Sequence, residues 1–479
     1  MTESHRTFDY DVAIIGGGSG GYAAARTAAS AGLKTVVIEG GEEVGGLCIL
    51  RGCMPTKALL YAAEVMHLAS HAEPWGIRTE NVSFNFKQVM ARKDLLVKGF
   101  ADYRHEQLRN GKFEFVRANA GFVDAHTLEL LPMGSDEERN DSKTPRTLTA
   151  KSFVVATGSK LAPSPVECID PSFCLNSDTA LELTRLPKSI IVLGGGATAC
   201  EFAQFFQRFG VKVTLIQRSS HVLHEFDADA TSELEKVFRR EGMTVYTETK
   251  IIDSRKVGSQ KGVIFEQDGK KLHVTAEEVF YALGRVPNTD SLNLDKIGVT
   301  TDCRRIVTNH FMQSNLPHIY AVGDCTGQHE IVHIAVQQGE VAGYNVGHPE
   351  RMKEMNYRLL TEVIFTDPQV AAVGLTEKKA KRRNIPYLAA SYPFNDHGKS
   401  LIMEAKDGFV KLLANPDTGE IIGGCCVGPL GGDLIHEIIA AMYKRMTVHE
   451  LAAMPHYHPT LAEIWSYPAE ELSEKIARK

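Results

Sequence analysis

Residues 9–21 read DYDVAIIGGGSGG. Asp9 to Ile15 is mostly apolar and rich in β-branched residues, the pattern of a strand buried on both faces. It runs straight into a glycine cluster. The Ala-rich segment from Tyr22 to Ala31 then predicts a helix, which Gly32 stops. Lys34 to Ile38 predicts a second strand, ending at Glu39. Strand, G-x-G-x-x-G, helix, strand and acid together form a dinucleotide-binding unit. Gly16 permits the tight turn, Gly18 lets the backbone approach a pyrophosphate, and Gly21 lets helix and strand pack closely. The helix N-terminus offers unpaired N–H groups and a positive dipole end to phosphate. Glu39 is placed to accept hydrogen bonds from ribose hydroxyls.

The pattern recurs. Ser189 to Leu193 predicts a strand, Gly194 to Ala199 the turn, Cys200 to Phe209 a helix and Lys212 to Ile216 the next strand. Gly194 and Gly196 match the first two glycines, and Ala199 fills the third small position, which the motif tolerates. Gln217 stands as far from Ala199 as Glu39 does from Gly21, and Arg218 follows it. Loss of the carboxylate beside a guanidinium favours a 2′-phosphate over a free 2′-hydroxyl, hence NADP(H) over NAD(H). The alternative is a solvated arginine after a strand end. Two such units in one chain suggest two facing dinucleotides, the arrangement for hydride passing between nicotinamide and flavin.

Between Glu39 and Lys57 lies GGEEVGGLCILRGCMPTK, with four residues between Cys48 and Cys53. A short loop or helical turn at this spacing brings two Cα atoms within disulfide range. Pro55 suits the first turn of a helix expected to run from Lys57 to about His67. Cys53 then sits at a helix N-terminus, where the dipole stabilises a thiolate, and Arg51 adds positive charge nearby. A zinc site, the alternative reading, normally needs a second such pair or added histidines. Cys168, Cys174, Cys200, Cys303, Cys325, Cys425 and Cys426 carry no usable motif and read as ordinary small residues.

Near the end of the chain, HYHPTLAE spans His456 to Glu463. Thiol exchange needs a group that takes and returns a proton near neutral pH, and histidine suits that task. A carboxylate on the other ring nitrogen fixes the tautomer and stabilises the imidazolium. His458 and Glu463 can pair if the chain turns at Pro459 and starts a helix. On spacing alone, a His-Pro pair is more often simply a turn.

The chain has 479 residues, enough for about three domains at ~150 residues each. Hydrophobic residues make up 43% and charged residues 23%, an ordinary globular balance. The net charge of −6 gives no nucleic-acid footprint. No apolar run approaches the ~18 residues that span a bilayer, and the polar stretch from Met1 to Arg6 lacks a secretory core. A cytoplasmic location is expected, where a deliberate disulfide is catalytic rather than structural.

In this combination and order, the motifs resemble the class I pyridine nucleotide-disulfide oxidoreductases, over nearly the whole chain from Asp9 to about Glu470. The redox loop is similar to the family's Gly-Gly-x-Cys-x-x-x-x-Gly-Cys-x-Pro-Ser/Thr-Lys. Ala156-Thr157-Gly158-Ser159, Glu201 after the second glycine turn, the run from Ala282 through Gly284 to Asn288, and Ile319 to Asp324 match further family segments. His458 to Glu463 resembles its His-Pro-Thr-Leu-x-Glu.

The resemblance implies an α/β chain with two Rossmann-like dinucleotide-binding domains and a C-terminal α+β dimerisation domain. Residues 1–155 and 284–352 would bind FAD, 156–283 the nicotinamide, and 353–479 would form the interface of a homodimer. Strand-like residues 408–413 and a helix-like run from Asp433 to Tyr443 suit the last domain. Cys53 would be the sulfur that exchanges electrons with the flavin and forms the charge-transfer thiolate. Cys48 would be the interchange thiol. His458 would carry the proton, oriented by Glu463, and would face the disulfide of the other subunit. Lys57 and Glu201 resemble the ion pair beside flavin N5, and Asp324 the residue that bonds the ribityl chain. Thr157, Gly158 and Gly284 fall in the family's cofactor-binding segments.

The implied activity moves electrons between nicotinamide, FAD and a small dithiol/disulfide or a lipoyl domain, as in dihydrolipoamide dehydrogenases. Mercuric or other metal-ion reduction, glutathione reductase-like or transhydrogenase-like activity, and a diaphorase serving a protein partner are the alternatives. Three departures bear on that choice. Leu50-Arg51 replaces the Asn-Val or Asn-Ile of many relatives. Gln217-Arg218 replaces the acid usual in NAD-using dihydrolipoamide dehydrogenases. The tail from Leu472 to Lys479 has no cysteine, unlike that of mercuric reductases.

Overall fold

The computed structural model describes residues 7–132, 146–164, 169 and 171–478; Met1 to Arg6, Cys168 and Lys479 lie outside the described residues. By contacts the chain divides into two compact units. One comprises the described residues of Met1–Pro55, Lys93–Pro163 and Gly284–Asn356. The other comprises those of Thr56–Arg92, Ser164–Leu283 and Tyr357–Lys479.

The first unit is built on parallel strands in the spatial order Glu114–Asp124, Thr35–Glu39, Tyr10–Ile15, Thr147–Val155 and Ile319–Ala321. Thr127–Pro132 joins the two long members antiparallel. Val12, Ala13 and Ile14 are fully buried, as the apolar run from Asp9 predicts for a strand covered on both faces. The helices Ser19–Ser30 and Val332–Gly347 pack together on this sheet. Gly339 and Gly343 make that packing close, since a Cβ at either would meet Gly20 or Ala24 backbone oxygen within 2.5 Å.

The second unit holds three sheets. A parallel sheet runs in the order Glu278–Tyr281, Ser189–Leu193, Lys212–Ile216, Thr244–Tyr246. An antiparallel meander, Lys250–Val257, Gln260–Gln267 and Lys270–Ala276, follows in sequence. The third is a five-stranded antiparallel sheet, Thr361–Ile364, Gln369–Gly374, Ile421–Gly428, Phe409–Ala414 and Leu388–Pro393. The helices Gly431–Tyr443 and Ser466–Ala477 cover that last sheet around a core that includes Trp465, Ile435 and Leu412.

Several helices start earlier than expected. The one predicted from Tyr22 begins at Ser19, and the one predicted from Cys200 begins at Ala197. In both, the third glycine of the cluster is itself the N-cap, so the turn and the first helical residue are contiguous. The helix expected from Lys57 spans Cys53–Ser70. Pro55 falls within its first turn, where a missing N–H costs nothing. Among the described residues, no helix is long and apolar enough to cross a membrane.

Candidate active site

The first glycine turn is shaped by close backbone approach. Gly16 has φ +109, and a Cβ there would lie 2.3 Å from the Ala156 carbonyl oxygen; one at Gly21 would lie 1.9 Å from the Gly16 oxygen. Side chains at either position are excluded. Gly18 differs: a Cβ there would meet only Gly46 Cα, at 3.8 Å, so space lies open at the helix N-terminus. The Glu39 carboxylate accepts the N–H of Gly17 at 2.7 Å and of Gly41 at 2.6 Å. Each of its oxygens keeps a second lone pair for a ribose hydroxyl.

Polar groups adjoin this turn, where a Cβ at Gly16 would lie 3.3 Å from Thr157 N. Thr157 Oγ1 is buried and has no hydrogen-bond partner among the described residues. Buried hydroxyls are normally paired, so this one marks a place for a polar ligand. Asp324 Oδ2 accepts from Ser159 Oγ at 2.7 Å. Arg285 in turn donates to Ser159 Oγ and to its carbonyl, both at 2.9 Å. Gly158 and Gly284 both have positive φ and open space at the Cβ position. A dinucleotide fits this set: N–H groups for its phosphates, Glu39 for a ribose, and Thr157 and Asp324 for further hydroxyls.

The cysteines sit beside that cradle. Cys48 lies in the short helix Leu47–Leu50, and Cys53 is the first residue of Cys53–Ser70. Both are half-buried. Gly52 folds the connection back: its Cβ position is 3.4 Å from Cys48 Cα and 3.0 Å from the Leu47 oxygen. Arg51 N–H donates to that same oxygen at 2.9 Å. Gly46 rests directly on the glycine turn, with its Cβ position 2.8 Å from Gly18 Cα. The redox loop is thereby seated on the dinucleotide cradle within one unit. Arg51 pairs with Glu43 at 3.2 Å, so its charge is partly offset.

In the second unit, Gly194 repeats the geometry of Gly16, with φ +111 and a Cβ position 2.4 Å from the Ala282 oxygen. Gly196 caps the helix Ala197–Arg208. Gln217 is buried, and its Oε1 accepts from Arg218 N–H at 3.0 Å. Arg218 is exposed and forms no ion pair among the described residues.

Lys57 Nζ lies 3.0 and 2.9 Å from the two oxygens of the buried Glu201. Phe365 N–H donates to Glu201 Oε1 at 2.9 Å, and the Phe365 ring centroid lies 4.6 Å from Lys57 Nζ. In the same unit, His458 Nδ1 lies 2.9 Å from Glu463 Oε2 and 3.2 Å from Oε1. The chain turns at the cis His458–Pro459 bond and enters a short 3-10 helix, Ala462–Trp465, which buries Glu463. His458 itself is exposed. A fixed Nδ1 contact leaves Nε2 to exchange a proton.

Of the residues singled out in the sequence, Gly16, Gly18, Gly21, Glu39, Cys48, Cys53, Thr157, Gly158, Asp324 and Gly284 fall in the first unit. Lys57, Gly194, Gly196, Glu201, Gln217, Arg218, His458 and Glu463 fall in the second. Phe365 and a buried histidine beside Glu463, His397, were not foreseen, since no local pattern announces them; Ser159 stands in the Ala156–Ser159 segment but was given no role of its own. Among the described residues, no three His, Cys, Asp or Glu side chains converge as a metal site.

The pyridine nucleotide-disulphide oxidoreductase family model matches residues 10–339, and the dimerisation-domain model of the same name matches residues 360–468. The chain belongs to this family, in its class I, and is an FAD-dependent disulfide oxidoreductase of α/β fold. Dihydrolipoyl dehydrogenase of Chlamydia trachomatis is 34% identical over 465 residues, 96% of each chain. Dihydrolipoyl dehydrogenase of Bacillus subtilis is 34% identical over 462 residues, 95% of this chain and 96% of its own. The solved structure of LpdA from Mycobacterium tuberculosis is similar with a TM-score of 0.86 at 27% identity, covering 96% of this chain and 99% of LpdA. The HOCl-induced flavoprotein disulfide reductase RclA of Escherichia coli shares the fold, with a TM-score of 0.82 at 21% identity.

Proposed function

We propose that the chain acts as a cytoplasmic, homodimeric dihydrolipoyl dehydrogenase, exchanging electrons with a small dithiol or a lipoyl domain through Cys48 and Cys53. The observation that carries this reading is the redox loop: Cys53 opens a helix, and the loop holding Cys48 rests on the turn at Gly18. The similarity to dihydrolipoyl dehydrogenases over nearly the whole chain supports the substrate class.

Residues 1–155 and 284–352 would hold FAD, with Gly16, Gly18, Gly21, Glu39, Thr157, Gly158, Asp324 and Gly284 as its binding residues. Residues 156–283 would hold the nicotinamide cofactor, and 353–479 would form the subunit interface. FAD, when bound, supplies a two-electron carrier between nicotinamide and the cysteine pair.

The chain's own residues carry the thiol chemistry. A substrate thiolate attacks Cys48 Sγ in the oxidised pair, breaking the Cys48–Cys53 bond and leaving Cys53 as a thiolate. The positive end of its helix favours that charge. The second substrate thiolate then attacks the substrate sulfur of the mixed disulfide, and Cys48 departs. The substrate leaves as a disulfide and the enzyme is left as a dithiol, so two electrons have moved. His458 of the opposite subunit accepts the substrate thiol proton, and Glu463 stabilises the resulting imidazolium. Lys57, paired with Glu201, would supply a positive charge to the flavin chemistry, the role that the family resemblance gives this ion pair.

NADP(H) is the favoured nicotinamide. Gln217 offers no carboxylate to a 2′-hydroxyl, and Arg218 is an exposed cation at the strand end. Metal-ion reduction is less well supported. Cys425 and Cys426 are buried in the strand Ile421–Gly428, and burial pushes the Cys425 thiol up to about 12.

Purified holoenzyme, assayed with dihydrolipoamide and either NADP+ or NAD+, tests the reading. Turnover with NADP+ the better acceptor is expected. No turnover with either acceptor refutes the substrate class.

A further inference from the structure

Glu463 faces a second histidine. His397 is completely buried, between the strand Leu388–Pro393 and the helix Gly398–Ile402. Its Nδ1 lies 2.8 Å from Ser400 Oγ. Its Nε2 lies 3.4 Å from Glu463 Oε1, too poorly aligned for a formed hydrogen bond, and among the described residues it has no hydrogen-bond partner. Two rings lie near it: Phe394 and Tyr467 stand edge-on, with centroids 6.5 and 6.3 Å away. Tyr467 is stacked on Tyr392, whose hydroxyl is bound by Asp396. Glu463 and, beyond it, His458 are therefore the ionisable groups that His397 meets most directly.

The surroundings select one form of the ring. Burial is the largest influence on His397 and holds its pKa below the ordinary histidine value, against the opposing pull of Glu463. The ring is therefore neutral near pH 7, with a single N–H. A bare Nε2 would set its lone pair against the Glu463 carboxylate. The network therefore assigns the proton to Nε2, with Ser400 O–H donating to Nδ1.

We propose that His397 is a positioning residue for the proton-transfer pair: its Nε2–H, turned toward Glu463 at 3.4 Å, draws the buried carboxylate electrostatically into the orientation that presents both oxygens to His458 Nδ1. The inference rests on the reading of His458 as the acid–base group. A carboxylate buried beside apolar rings needs a donor on each side to remain ionised and fixed. His458, being exposed, supplies only the outer one. His397 supplies the inner one and, being neutral, does not compete with the imidazolium for the carboxylate charge.

The test compares turnover of lipoamide with turnover of ferricyanide, both driven by reduced nicotinamide, in the full-length holoenzyme. Ferricyanide reduction needs no proton from His458, so the ratio of the two rates isolates the thiol step. His397→Leu should lower the lipoamide-to-ferricyanide ratio about tenfold, a modest share of the 10²–10⁴ carried by a positioned acid–base group. The loss should fall in kcat, with KM for lipoamide unchanged. His397→Gln, whose amide N–H reaches the place of Nε2–H, should restore most of the ratio; a merely space-filling role would not respond to that rescue. If His397→Leu does not fold, Ser400→Ala frees the ring to change tautomer and should lower the ratio severalfold. A wild-type ratio in His397→Leu or Ser400→Ala, with His458→Gln still impaired, overturns the role of His397 alone. A wild-type ratio in His458→Gln as well overturns the acid–base reading on which it rests.

Discussion

Lys57 Nζ lies within 3.0 Å of both carboxylate oxygens of Glu201, a residue far along the chain that is almost wholly buried. The same carboxylate takes the Phe365 N–H at 2.9 Å. Removing it strands a partly buried ammonium and a backbone donor together. Glu201→Ala is expected to lower unfolding free energy by about 3 kcal/mol, the lower end for breaking a buried pair, since Lys57 keeps some contact with water. Urea denaturation measures this. A loss under 1 kcal/mol would mean that water replaces the carboxylate at no real cost.

The interchange role proposed for Cys48 makes a sharper demand. Cys48→Ser removes the sulfur that substrate would attack and leaves both glycine turns intact. Disulfide turnover should vanish, while nicotinamide-driven reduction of ferricyanide persists. If both activities persist, electrons reach the disulfide substrate by another path.

Much of this was legible in the sequence. The two glycine turns carry their own context: strand before, helix after, and an acid or its replacement at a fixed distance. The cysteines lie in a short local pattern whose spacing suggests their pairing; for His458 and Glu463 spacing left a plain turn as the commoner reading, and the family pattern suggested the pair. The helices at Ser19 and Ala197 start earlier than the sequence suggests, because a glycine N-cap reads as part of the turn; the one at Cys53 starts a turn before Lys57, with Pro55 in its first turn as expected. The partners Phe365 and His397 were illegible for a different reason. Each meets its carboxylate across a long stretch of chain, and only tertiary packing brings them together. Lys57 and Glu201 belong with these in physical terms; the family pattern alone suggested their pairing.

The proposed preference for NADP(H) rests on two neighbouring residues, Gln217 and Arg218. Arg218→Ala should raise KM for NADPH about 10- to 100-fold, the loss of hydrogen bonds to a charged group worth ~1.5–3 kcal/mol. KM for NADH should change little. Equal effects on both cofactors would mean that Arg218 does not meet the 2′-phosphate.

Acid should weaken the fold before carboxylates begin to protonate. His67, His318 and His397 are all held below the ordinary histidine value, chiefly by burial. The unfolded chain then takes up their protons first, so stability is full above about pH 7 and is lost as pH falls through 6.5 and below. Glu64 and Glu330, raised by burial, act in the opposite sense as they take up protons. His318→Gln removes one of the three histidines. The drop in urea midpoint between pH 7.5 and 5.5 should be smaller in that variant than in the wild type. An equal drop would show that His318 takes no part.

The most direct test of the path through Cys48 and Cys53 is an anaerobic titration of the holoenzyme with dihydrolipoamide, following the flavin absorption spectrum. A long-wavelength thiolate-to-flavin band should grow as the dithiol is added, and it should be missing in Cys53→Ser. If NADPH produces the band and dihydrolipoamide does not, the redox pair is real but lipoamide is the wrong substrate. If neither reductant produces it, Cys48 and Cys53 are not the redox centre.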